Sequence, residues 1–105
     1  MSEHFNKLSP AELERLALLA EEASEVVHMC MKIMRHGYEN YHPRYPTRNN
    51  RLLLALELGE MLGVFEAMKR AGDFRAEELG ELGLACHDKM RVAAPYLHHQ
   101  GAHNE

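Results

Sequence analysis

Tryptophan is absent from this 105-residue chain, cysteine occurs twice, and proline only four times. No uninterrupted apolar run approaches the roughly 20 residues of a membrane span, so no transmembrane helix is expected. A basic stretch leading into an apolar core is also missing at the start, which argues against a secretory leader. The two cysteines, Cys30 and Cys86, fall in the middle of expected helices. They read as buried thiols of a protein in a reducing cytosol. Positive charge is not in excess: the net charge of −4 argues against a nucleic-acid duplex as the main partner. What is present is 46% hydrophobic residues, enough for one small globular domain over residues 1–105. Wide apolar arcs in so short a chain are covered by self-association, so a homo-oligomer is expected.

One pattern occurs twice. Leu18, Leu19, Glu22, Glu25, Val26, Met29 and Ile33 have counterparts in Leu53, Leu54, Glu57, Glu60, Met61, Val64 and Met68. At about 100° per residue each set falls on one side of a helix. Glu22 and Glu57 lie inside the apolar arc, and Glu25 and Glu60 lie at its edge one turn along. A carboxylate in a core-facing stripe is costly unless something neutralises it, and neither stripe contains a Lys or Arg. A divalent cation between the two helices is the economical solution. Four carboxylates without a soft ligand suit Mg²⁺, with Mn²⁺ able to substitute. A di-iron bundle needs two Glu-x-x-His motifs. Glu25 to His28 is formally one, with His28 on the polar face, and Gly63 stands where the second would need its histidine. Zinc is disfavoured because no Cys or His cluster has ligand spacing.

Residues 1–8 read as a loose arm. Ser9-Pro10-Ala11-Glu12 is a capping box with proline at the first helical position, and it opens a helix to about Arg35. Leu13, Leu16, Ala20, Ala23, Val27, Cys30 and Met34 add a second seam to that helix, which must then be covered from more than one direction. Gly37–Asn50 is rich in Pro, Asn and Tyr and longer than a plain helix connection. Its three tyrosines and two arginines offer stacking and anion contacts; packing on the bundle end or on a partner subunit is the plainer role. A second helix is expected from Thr47 or Arg48 to Arg70, and a third, capped by Asp73, from Arg75 to Ala94. The apolar line of the third helix is interrupted by Lys89, and the tail from Tyr96 to Glu105 is polar and His-rich.

Glu21-Glu22-Ala-Ser-Glu25, followed by Glu57-Leu-Gly-Glu60, resembles the EExxE…ExxD signature of MazG-like all-α NTP pyrophosphohydrolases, especially short phage-encoded and bacterial members. LAEEASEV, the basic-Gly segment ending RHG, the Pro-rich loop and NNRLLLALELGEMLG extend the similarity from about Leu16 to Tyr96. The resemblance implies an all-α helical bundle completed by dimer or tetramer formation. It also implies a cytosolic enzyme (in the host cytosol if phage-encoded). The implied reaction is Mg²⁺-dependent cleavage of a nucleoside triphosphate to monophosphate and pyrophosphate, with a lean to a purine such as dGTP. Carried over, Glu22, Glu25, Glu57 and Glu60 are metal ligands, and Glu21 with Glu22 serves catalysis. Lys32, Arg35, Arg51 and Lys89 are candidate phosphate clamps, and His36, Tyr38 and Asn50 candidate base contacts. Glu60 departs from the family, which has Asp there, so one carboxylate reaches a methylene further. The competing reading is a non-catalytic helical oligomer in which metal or paired charges fix register. A third keeps the fold and cleaves another nucleotide-like diphosphate.

Overall fold

Ser9 starts the first helix as its sequence demands. Its Oγ accepts the Glu12 N–H at 3.1 Å, and the Glu12 carboxylate accepts the Ser9 N–H at 2.7 Å. In the computed structural model, which describes residues 5–100, α1 spans Pro10–His36, α2 Asn50–Ala71 and α3 Ala76–Ala93, followed by a 3₁₀ turn at Ala94–Tyr96. The described residues contain no strand beyond a single antiparallel bridge between Tyr41 and Asn49. The chain is all-helical. Residues 1–4 of the expected arm and 101–105 of the expected tail lie outside the described residues.

Two compact units divide between Asp73 and Phe74. In the first, α1 and α2 pack as an antiparallel hairpin that is closed at both ends. At the loop end, Gly37 ends α1 with φ +89°, a conformation open to glycine, and its N–H bonds the Ile33 carbonyl at 2.7 Å. Asn49 caps α2 by accepting the Leu52 N–H at 2.9 Å. The bridge to Tyr41 holds Asn49 extended, so α2 begins two or three residues later than the Thr47 or Arg48 expected from sequence. At the other end, Gly72 adopts the left-handed conformation; Gly72 N–H bonds Lys69 O at 3.1 Å and Asp73 N–H bonds Met68 O at 3.0 Å, a Schellman closure.

Asp73 does not cap α3, contrary to expectation, because its side chain is engaged elsewhere. Both its oxygens take the Arg15 guanidinium, Nε to Oδ2 at 2.7 Å and Nη2 to Oδ1 at 2.8 Å. A bidentate pair outcompetes a one-bond cap, so Arg75 precedes α3 instead, its N–H donated to Glu78 Oε1 at 2.8 Å.

The hairpin core consists of Met29 from α1 with Val64 and Met68 from α2. Fully burying such side chains contributes roughly 1.5–3 kcal/mol each. All three belong to the repeated acidic stripe, and Leu19, Val26, Ile33, Leu53, Leu54 and Met61 of that stripe are half-buried beside them. The second seam of α1 has no such cover: Leu16 is 42% exposed, Val27 61% and Met34 70%. Cys30 lies on this seam and is exposed, as is Cys86 on α3, contrary to the expectation of buried thiols. One neighbouring helix covers one stripe of α1, and Cys30 is on the other. In the second unit α3 runs directly into the 3₁₀ turn, where Ala94 is buried.

Candidate functional site

The register that places Met29 and Val64 in the core also brings Glu22 of α1 to Glu57 and Glu60 of α2. One carboxylate oxygen from each lies within 4.8 Å of the other two. Glu22 and Glu57 are half-buried and Glu60 is exposed, so the trio opens to solvent on one side. Among the described residues no Lys, Arg or His forms an ion pair with any of the three.

The electrostatic result is a raised carboxyl pKa at two of them. Glu22 is pushed up first by partial loss of water, then by the negative charges of Glu60, Glu21 and Glu25. Glu57 is pushed up first by a carboxyl–carboxyl contact with Glu60, favourable when a proton sits between them. Desolvation and the charges of Glu60, Glu25 and Glu22 add to this. Glu25 and Glu21 are exposed and outside the trio, yet both contribute to its negative potential. Such a trio has two ways to lower its energy: a shared proton, or a hard cation taking one oxygen from each residue.

Basic residues gather toward the loop end of the same hairpin. Lys32 is half-buried, while Arg35 and His36 are exposed in the last turn of α1, where positive charge suits the helix dipole. Arg51, in the first turn of α2, lies over the Tyr38 ring at 4.8 Å from its centroid and pairs with Glu39 at 2.7 Å. Lys89 is exposed on α3, within the second unit.

Asn50 has a different position from the one expected of a base contact. It is 1% exposed, its Nδ2 donates to the Gly37 carbonyl at 3.0 Å, and its own N–H donates to Asn40 O at 2.8 Å. Asn50 thus latches the loop to the start of α2, out of reach of a ligand. Arg51 N–H is likewise taken, by Tyr38 O at 2.9 Å. With Leu52 N–H on Asn49, the opening N–H groups of α2 are satisfied within the chain, so an anion arriving there would meet side chains rather than backbone donors.

The ion-pair roles of Glu39 and Asp73 at the hairpin ends do not show in the sequence. Glu39 is the single acid between Lys32 and Arg51, a segment with five Lys and Arg, and that isolation was the available signal. Asp73 gave none, because its partner Arg15 is 58 residues away. Comparison of the chain with models of known families, with curated proteins and with solved structures yields no match in any of the three.

Proposed function

We propose that this chain is a metal-dependent nucleoside triphosphate pyrophosphohydrolase, converting a (d)NTP and water to a (d)NMP and pyrophosphate. The observation that carries the reading is the convergence of Glu22, Glu57 and Glu60 from two helices inside one 4.8 Å cluster, with no ion pair to a Lys, Arg or His among the described residues. The motif residues Glu21, Glu22, Glu25, Glu57 and Glu60 support it by their resemblance to the MazG-like signature.

The donor set fits Mg²⁺ or Mn²⁺: it is all carboxylate oxygen, and three donors leave room for water and for phosphate oxygens. Glu22, Glu57 and Glu60 would hold the ion, with Glu25 at the rim. When bound, it supplies neutralisation of charge developing at the phosphates and a water more readily deprotonated than bulk. Glu21, exposed beside Glu22, accepts a proton from the attacking water and fixes its direction. Lys32, Arg35 and Arg51 bind the β- and γ-phosphates and stabilise the departing pyrophosphate. Tyr38 and His36 offer ring faces to the base. A purine such as dGTP is the substrate favoured by the resemblance.

Assembly into a homo-oligomer completes the fold in this reading. Leu16, Val27 and Met34 on α1 and Leu62 on α2, 57% exposed, are the apolar surface available for it. The non-catalytic alternative draws on the Glu57–Glu60 contact, which a shared proton alone would satisfy. Product analysis after incubation with each canonical NTP and dNTP, with Mg²⁺, with Mn²⁺ and with chelator, tests the reaction. Metal-dependent release of pyrophosphate and a monophosphate is expected. Release of orthophosphate would point to a different cleavage, and no release by metal-loaded protein would favour the scaffold.

A further inference from the structure

We infer that Glu39 is a built-in anion occupying the Arg51 site, and that a polyphosphate ligand binds by displacing it. The inference rests on the reading of Arg51 as a phosphate contact and adds a regulatory residue to it. Glu39 Oε2 takes Arg51 Nη2 at 2.7 Å, while its Oε1 accepts the Asn49 side-chain amide at 3.2 Å. Two oxygens of one carboxylate thus meet a guanidinium and an amide, as two oxygens of a phosphate group would. The Tyr38 ring lies under the guanidinium, and the loop backbone is fixed by Arg51 N–H to Tyr38 O and Asn50 N–H to Asn40 O. The cation is therefore held in place by contacts that do not require Glu39.

Glu39 itself is easily exchanged. Its side chain is 74% exposed and that of Arg51 56%, the regime in which an ion pair contributes little and a better anion competes. The opening backbone donors of α2 are already satisfied, so Arg51 and Asn49 are the donors that an anion at this helix start can recruit. No other acid lies between Lys32 and Arg51 to replace Glu39. Displacement leaves Arg51 stacked on Tyr38 with its outer N–H groups turned to the ligand. By helical rise this is roughly 9 Å along α2 from Glu57, the span of a triphosphate chain plus one side chain.

Calorimetric titration of the full chain with tripolyphosphate, in chelator and at low ionic strength, tests this. Glu39→Gln should tighten binding roughly three- to fivefold, the effect of one exposed charge. Arg51→Gln should weaken it, and Glu39→Gln added to Arg51→Gln should bring no gain. Glu39→Ala serves as a second removal of the same charge, and Glu66→Gln removes an exposed acid elsewhere as a control for net charge. Unchanged affinity in both Glu39 variants, a gain that persists without Arg51, an equal gain in Glu66→Gln, or no binding by any variant would each overturn the inference. The readout involves no turnover. A chain that fails to cleave nucleotides yet shows the Glu39 effect would lose the enzymatic reading and keep this one.

Discussion

Replacing Asn50 by alanine should loosen the loop that carries Tyr38, Glu39 and Asn49. Asn50 is 1% exposed, and its Nδ2 is the donor on the Gly37 carbonyl at 3.0 Å. Loss of one such bond is worth about 1 kcal/mol net, and a part-buried carbonyl left without its donor adds up to about 1–2 kcal/mol. The total is about 2–3 kcal/mol. In a domain of this size each kcal/mol moves the midpoint by about 4–8 °C, so Asn50→Ala should melt about 10–20 °C lower. Asn50→Asp keeps the shape, cannot donate and sets two acceptors face to face, so it should cost at least as much. Thr47→Ala, at an exposed loop position, should stay within about 0.5 kcal/mol of the parent. Thermal melts followed by circular dichroism give the comparison directly. If Asn50→Ala melts within a few degrees of Thr47→Ala, the latch is not holding the loop.

Glu22 and Glu57 have carboxyl pKa values above their ordinary 4.5, so they favour the folded chain in acid and lose that contribution as pH rises through the raised values. In chelator the midpoint should fall as pH rises above 4.5, more steeply than in a Glu22→Gln, Glu57→Gln variant, and Mg²⁺ should reduce the slope. Asp73 has the opposite sign: its hydrogen bonds to Arg15 hold it below the ordinary 3.8, giving stability that is present above 3.8 and lost as pH falls through the lowered value. Asp73→Asn should therefore destabilise the neutral chain and flatten the acid end of its pH profile; an unchanged acid limb would contradict the clasp. Analytical ultracentrifugation should find a dimer or tetramer that Val27→Glu, on the uncovered seam, shifts toward monomer. A monomeric parent would refute the assembly.

The acidic register was legible because it follows from helix periodicity alone. Seven positions in each segment share a face at about 100° per residue, and α1 and α2 bury the middle of that face against each other through Met29, Val64 and Met68, leaving Leu18 46% exposed. The start of α1 was legible for a similarly local reason, since Ser9, Pro10 and Glu12 contain the whole capping box. Features that depend on distant partners were not. Asp73 has the composition of a cap, and only its meeting with Arg15 diverts it. Asn50 looks like an exposed loop amide until the loop folds back over it. The exposure of Cys30 was not legible because amphipathic width shows how much of α1 is apolar, not which of its faces a neighbouring helix covers. Of the four metal candidates, Glu25 falls outside the cluster at its edge position, while Glu60, equally peripheral in the pattern, joins it beside Glu57.

The proposed chemistry requires carboxylates from opposite helices to act as one cation site. Titration of the full chain with Mn²⁺, followed by loss of the free-ion electron paramagnetic resonance signal, measures it directly. Glu22→Gln on α1 and Glu57→Gln on α2 should each remove most of the binding, and the double variant should be little worse than either, because the two residues share one ion. Losses that simply add, or Mn²⁺ binding that survives both changes, would contradict a shared site and with it the proposed chemistry.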